Sequence, residues 1–170
     1  MRRVIALACL LLFPRRAEAS EWESAFGVDA GAGYRWLAGV SFAGGELGLG
    51  YMGVHDGGFV LTGELHTFVG TSWNGLTTVQ VTPAVWMGYG RGRARLTSGI
   101  RCGALIVKRH TDSPGTLASF TAGPAARLTV DLARWDAGRA LFLDVRAGID
   151  FIIAGDFMLH AALGLGLRFY

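Results

Sequence analysis

From residue 22 onward, apolar positions alternate with small or polar ones along nearly the whole chain. The pattern is cleanest in the last stretch. There Phe157, Leu159, Ala161, Leu163, Leu165, Leu167 and Phe169 share one parity, while Met158, His160, Ala162, Gly164, Gly166 and Arg168 share the other. A period of two is strand geometry, because successive side chains leave opposite faces of a sheet. A run from 157 to 169 is long for a globular strand, which has roughly 5–6 residues, and long enough to cross a membrane when tilted, which takes ~9–11.

The same alternation, punctuated by turn residues, predicts strands at about 22–33, 37–54, 59–69, 76–89, 93–107, 117–132, 139–152 and 157–169. Within 37–54 the apolar parity changes: Val40 and Phe42 stand on one, Leu47, Leu49 and Tyr51 on the other, with Ala43-Gly44-Gly45 between. A bulge there keeps eight strands, and a turn would make nine. Pro83 and Pro124 cannot donate to a ladder, and a closed barrel has no edge to hold them, so local bulges are expected at both.

One face is apolar strand after strand, and the other carries the charge. That polar face is rich in Gly, Thr, Ala, Arg and Asp, and the whole chain has one lysine, Lys108. Small residues mixed with balanced charge suit a narrow packed lumen rather than a solvated surface. The predicted lumen set is Asp29, Glu46, Glu64, His66, Gln80, Arg95, Arg101, Arg127, Asp131, Asp144, Arg146, Asp150, His160 and Arg168. Buried charges must be paired, so the expectation is a salt-bridge network that fills the barrel. An ion path or a histidine-gated one is the other reading.

Aromatic residues gather at the strand ends. Trp22, Tyr51, Phe59, Tyr89, Trp135, Phe169 and Tyr170 fall at one end, and Tyr34, Trp36, Phe68, Trp73, Phe151 and Phe157 at the other. Two such belts are expected at the two headgroup levels of a membrane barrel.

Composition sharpens this picture. Hydrophobic residues make up 51% and charged ones 17%, yet no apolar run reaches the ~18 residues of a helical span. Residues 1–19 read as an export signal: Arg2 and Arg3, the apolar run Val4–Phe13, and the A-x-A site Ala17-Glu18-Ala19, with cleavage before Ser20. Four of the 16 basic and one of the 13 acidic residues lie in that leader, leaving twelve of each in 20–170. The basic balance therefore belongs to the signal, and nothing points to nucleic acid. One cysteine, Cys102, remains after cleavage, so no internal disulfide is expected. The four histidines lack metal-ligand spacing and no G-x-S-x-G is present. No metal or cofactor is expected.

The export signal, the alternation and the C-terminal residues resemble the small eight-stranded outer membrane barrels of the OmpA transmembrane domain and OmpX kind over all of 20–170. Gly164, Leu167 and Phe169 are similar to that family's terminal assembly signal, with Tyr170 one residue beyond the usual final Phe. The resemblance implies an all-β, up-and-down transmembrane barrel in the outer membrane. Its implied partners are the membrane lipids and the barrel-assembly machinery acting on the last strand. It also implies periplasmic termini and periplasmic turns at His55–Gly58, Gly90–Gly92 and Ala133–Gly138. The outer turns are then Tyr34–Trp36, Gly70–Gly75, Lys108–Thr116 and Ala154–Asp156. Those outer turns are short, leaving Lys108–Thr116 as the best candidate for a binding loop.

The functional expectation is a structural or interaction-type membrane barrel without catalysis. Some small outer membrane barrels modify lipid A with a His, a Ser and an acid. Here Glu64, His66 and His160 share the predicted lumen, but no serine stands beside them. That enzyme is the first alternative, and a secreted soluble barrel binding an apolar ligand is the second.

Overall fold

The computed structural model describes residues 22–109, 115–135 and 138–170. The proposed leader, with Ala17, Ala19 and Ser20, lies outside them, as does most of the 108–116 loop.

Eight antiparallel strands close into one barrel in chain order. They are β1 (Trp22–Leu37), β2 (Val40–His55), β3 (Phe59–Thr71), β4 (Leu76–Arg91), β5 (Ala94–Arg109), β6 (Thr116–Trp135), β7 (Arg139–Ile152) and β8 (Phe157–Phe169). Closure comes from β8, which pairs with β7 from Phe151↔Phe157 to Arg139↔Phe169 and with β1 from Phe26↔Phe169 to Leu37↔Met158. Closure leaves no open edge, so the backbone groups of every strand have neighbours on both sides. Both described termini lie at the same barrel end as the turns at 56–58 and 92–93, the end of β6 at Trp135 and the start of β7 at Arg139.

The alternation runs through every strand. In β8, Phe157 through Phe169 on the odd parity are exposed, and Met158 through Arg168 on the even parity are buried. Leu47, Leu96, Ile100, Val85, Leu163 and Leu165 are among many large apolar side chains on the outer wall. A soluble protein rarely leaves so continuous an apolar surface in water.

Several expectations need correction. The first hairpin turns at Ala38–Gly39, not at Tyr34–Trp36. Both residues have positive φ, 46° and 83°, as a tight two-residue hairpin requires. Nor is there a bulge at Ala43–Gly45, because β2 pairs with β1 and β3 without a register shift. The apparent parity change arises because Phe42 points inward and is 1% exposed. Pro83 and Pro124 form no bulge either. Thr82 and Pro83 drop out of the β4–β5 ladder, and Gly123 and Pro124 out of the β6–β7 ladder, with register unchanged on either side. A proline lacks one donor, and each loses rungs toward one neighbour while the opposite ladder runs through it. The register shift that does occur lies between Asp131 and Ala133 in β6.

The two aromatic rims form on the outer wall, with two members turned inward. Trp22, Phe59 and Tyr89 contact edge to face at the termini end, with centroids 6.0 and 6.1 Å apart. Trp36 and Phe157 meet at 5.7 Å at the other end. Phe68 faces the lumen instead, and the Tyr170 hydroxyl lies against lumenal Asp131 and Arg95.

Candidate functional site

The candidate site is the barrel interior. Six arginines (Arg35, Arg95, Arg101, Arg127, Arg146, Arg168) and six carboxylates (Asp29, Glu46, Glu64, Asp131, Asp144, Asp150) have buried side chains there. All the charged and histidine residues expected in the lumen from parity are inside, and so is Gln80. Arg35 is the one the sequence reading omitted. Its parity with Asp29 along β1 was the available signal, obscured by placing a turn at Tyr34–Trp36.

Strand geometry dictates the layering, because inward side chains recur every second residue at staggered heights. Near the termini, Asp131 of β6 receives Arg95 of β5 at 3.0 Å and Arg168 of β8. Tyr170 donates its hydroxyl to Asp131 at 3.4 Å and accepts from Arg95 at 3.3 Å. The Arg168 guanidinium also lies 4.4 Å from the Phe142 ring centroid, a cation–π contact.

The middle layer centres on Arg146. Its Nη2 donates to Asp29 at 2.8 Å, its Nε lies 2.9 Å from Asp144 Oδ2, and its Nη1 approaches Glu46 at 3.6 Å and the His66 ring. Arg127 joins Asp144 at 2.8 Å and also pairs with Glu64. His66 bridges the set, with Nε2 2.8 Å from Glu64 Oε2. Donation from Nε2–H to Glu64, with Nδ1 receiving Arg146, satisfies both ring nitrogens. Glycine makes the room: a Cβ on Gly48 would fall 2.7 Å from His66 Nδ1 and collide with the Asp29 carboxylate.

Farther toward the other end, Arg35 holds Glu46 at 2.7 Å and donates to Gln80 at 3.1 Å, with its guanidinium 4.2 Å from the Phe68 centroid. Gln80 passes the network on to Asp150 at 2.9 Å. Asp150 also has Arg101 at 3.8 Å and His160 at 3.6 Å. These longer contacts leave Arg101 Nε, Asp150 Oδ1 and both His160 nitrogens without hydrogen-bond partners.

Apolar side chains cap the charges at both ends. Leu105, Ile152 and Met158 pack with Leu37 and Val107 at the far end, and Ala25, Met52 and Val60 with Val54 and Tyr170 at the termini end. A cavity lined by Asp29, Glu64, Arg127 and Arg168 among others offers about 10 Å³, room for about one water.

This arrangement favours rigidity over chemistry. Glu64, His66 and His160 are walled off from the outer face. Glu64 and His66 pair with each other and with Arg127 and Arg146, and among the described residues His160 has only Asp150, at 3.6 Å. Among the described residues no group of His, Cys, Asp or Glu is arranged to hold a metal ion. Cys102 lies on the outer wall, partly exposed, opposite Ala122. Of the four C-terminal residues, Leu167 and Phe169 face outward, while Gly164 lies on the lumenal parity and Tyr170 reaches lumenal partners.

No family model matches the sequence, and no curated protein matches it significantly. Solved structures do match in fold. Neisserial surface protein A superposes with a TM-score of 0.57 at 10% identity, over 90% of this chain and 99% of that one. Ail, the attachment invasion locus protein of Yersinia pestis, was solved in complex with the heparin analogue sucrose octasulfate. It superposes with a TM-score of 0.62 at 12% identity, over 88% of this chain and 100% of that one. Identities this low speak to fold and not to activity. With its closed wall of eight strands and these matches, the chain has the fold of the small eight-stranded outer membrane β-barrels.

Proposed function

We propose that this protein is an integral outer membrane barrel, structural or interaction-type and non-catalytic, whose lumen is closed by its own side chains. The observation that carries this reading is the pairing of an apolar outer wall with a charge-balanced, capped interior. Residues 1–19 serve as the cleaved export signal, and 20–170 form the barrel domain. Gly164, Leu167, Phe169 and Tyr170 act as the signal through which the assembly machinery engages β8. In the outer membrane, the termini end faces the periplasm. Asp29, Glu46, Glu64, His66, Arg95, Arg101, Arg127, Asp131, Asp144, Arg146, Asp150, His160 and Arg168 then have a structural role, fixing the interior.

Placement is tested by fractionation. The protein should sediment with outer membranes, resist aqueous extraction, require detergent for release, and migrate differently on gels before and after heating. A water-soluble periplasmic product would sink this placement. Closure of the lumen is tested separately, with purified protein in planar bilayers. The expected record is a quiet baseline, since eight strands enclose only enough space for side chains. Steady large openings would refute the closed lumen while leaving the placement intact.

A further inference from the structure

At the termini end of the wall, the turns 56–58 and 89–92 bound a shallow hollow of about 580 Å³, lined by Asp56, Gly57, Gly58, Tyr89, Gly90, Arg91 and Gly92. Its floor is backbone. Gly58 and Gly92 have φ of +86° and +61°, and the Gly90 N–H donates to the Gly58 carbonyl at 2.8 Å. A Cβ on Gly58 would stand 2.7 Å from the Gly90 carbonyl oxygen, so a side chain there would force the two turns apart. On Gly92 it would meet nothing within 4 Å.

Two opposite charges line this hollow, Arg91 and Asp56. Among the described residues neither makes an ion pair with the other or with any other side chain. The lining of the hollow therefore includes both a cation and an anion, neither of them engaged by another described side chain. It also sits at the height of the aromatic rim. The ring line Trp22–Phe59–Tyr89 ends at its mouth, and such rings mark the headgroup level. Along the wall from Tyr89, Leu61, Val85 and Met87 are exposed apolar surface, and Gly63 lacks a side chain where a Cβ would meet nothing within 4 Å. Charge at the rim continuing into an apolar trough is the profile of a phospholipid.

We propose that this hollow binds a phospholipid whose headgroup carries both a phosphate and a primary ammonium, that is, an aminoethyl phosphate diester. Arg91 takes the phosphate through its planar fork. Asp56 accepts hydrogen bonds from the ammonium, and the acyl chain follows Met87, Leu61 and the Gly63 trough. A headgroup with no ammonium leaves Asp56 facing the phosphate's negative charge. A quaternary ammonium has no N–H to donate to Asp56. The inference rests on the membrane placement proposed above.

Native mass spectrometry of the detergent-extracted full barrel tests the site. The probes are dioleoyl phosphatidylethanolamine, phosphatidylglycerol and phosphatidylcholine with identical chains. The expected result is binding of the ethanolamine lipid about threefold to fivefold tighter than either other lipid, the upper part of the range an exposed ion pair confers. Asp56→Asn should erase the preference over phosphatidylglycerol, and Arg91→Gln should weaken all three lipids. Both variants are at the surface, and an unchanged heat-dependent gel shift certifies their fold. Equal binding of the three lipids by the native protein, or a preference that survives both substitutions, overturns the site. Aqueous extraction of the protein would instead overturn the placement, so the two failures are distinguishable.

Discussion

Replacing Arg146 by Met should remove about 3–5 kcal/mol of unfolding free energy, the usual cost of stripping one partner from a buried charge pair. The structure says where that cost falls. Arg146 touches Asp29, Asp144, Glu46 and His66. Without it, Asp144 keeps Arg127 and Glu46 keeps Arg35. Asp29 keeps nothing, because among the described residues Arg146 is its ion-pair partner and no second cation replaces it. The loss is therefore mainly that of one orphaned buried carboxylate, and it has a specific remedy. Asp29→Asn combined with Arg146→Met should recover more than half of it, because the amide needs no counter-charge. Arg146→Lys should be intermediate, since a single ammonium cannot meet partners on several sides. Urea unfolding of the barrel in lipid vesicles, followed by tryptophan fluorescence, measures all three. An Arg146→Met barrel within about 0.5 kcal/mol of native would show that the network does not hold the interior together.

The same network shows what the sequence made legible. Parity placed every interior charge except Arg35, because a strand has two faces and a charge on the lipid face of a membrane barrel is costly, ~2–4 kcal/mol near the midplane for Arg or Lys. That rule is strong for charged residues and weak for apolar ones, which both faces accept. Phe42 and Phe68 are the consequence: both are apolar and both are buried inside. Reading Phe42 as a lipid-facing residue is what created an expected bulge at Ala43–Gly45. Phe68 shares the inward parity of Glu64 and His66 on β3, and there the Arg35 guanidinium stacks on its ring. Turn placement was less legible for a related reason. Ala38-Gly39 carries little turn chemistry on its alanine, and the positive φ at Ala38 is imposed by the two strands that it joins. Which charge meets which depends on stagger between strands, and one sequence gives no measure of that stagger. The Asp131/Ala133 register shift, which takes Ala133 off the inward parity and sets it opposite outward-facing Leu141, had no marker at all.

Deleting Phe169 and Tyr170 should abolish the assembled barrel. The two residues act on opposite faces of the wall, so their loss is felt twice. Phe169 forms the last rung on both sides of β8, opposite Phe26 and opposite Arg139, at the seam where the sheet closes. Its ring is part of the outer aromatic rim. Tyr170 continues inward: its N–H donates to the Gly138 carbonyl at 3.0 Å, and its ring lies 4.3 Å beneath the Arg134 guanidinium. The hydroxyl joins Asp131 and Arg95, so the chain end also closes the base of the lumen. Two substitutions separate these roles. Tyr170→Phe keeps the rim, the backbone bond and the ring, and removes only hydroxyl contacts worth about 0.5–1.5 kcal/mol; it should assemble normally with slightly lower stability. Phe169→Asp puts a charge at the outer rim of the closing strand and should impair assembly nearly as much as the deletion. The readout is the heat-dependent gel shift of the membrane fraction together with protease resistance of the chain in cells. Normal assembly of the truncated chain would mean that closure is secured by the rungs from Leu167 inward. The C-terminal residues would then be a lid on the lumen rather than the signal that brings β8 into place.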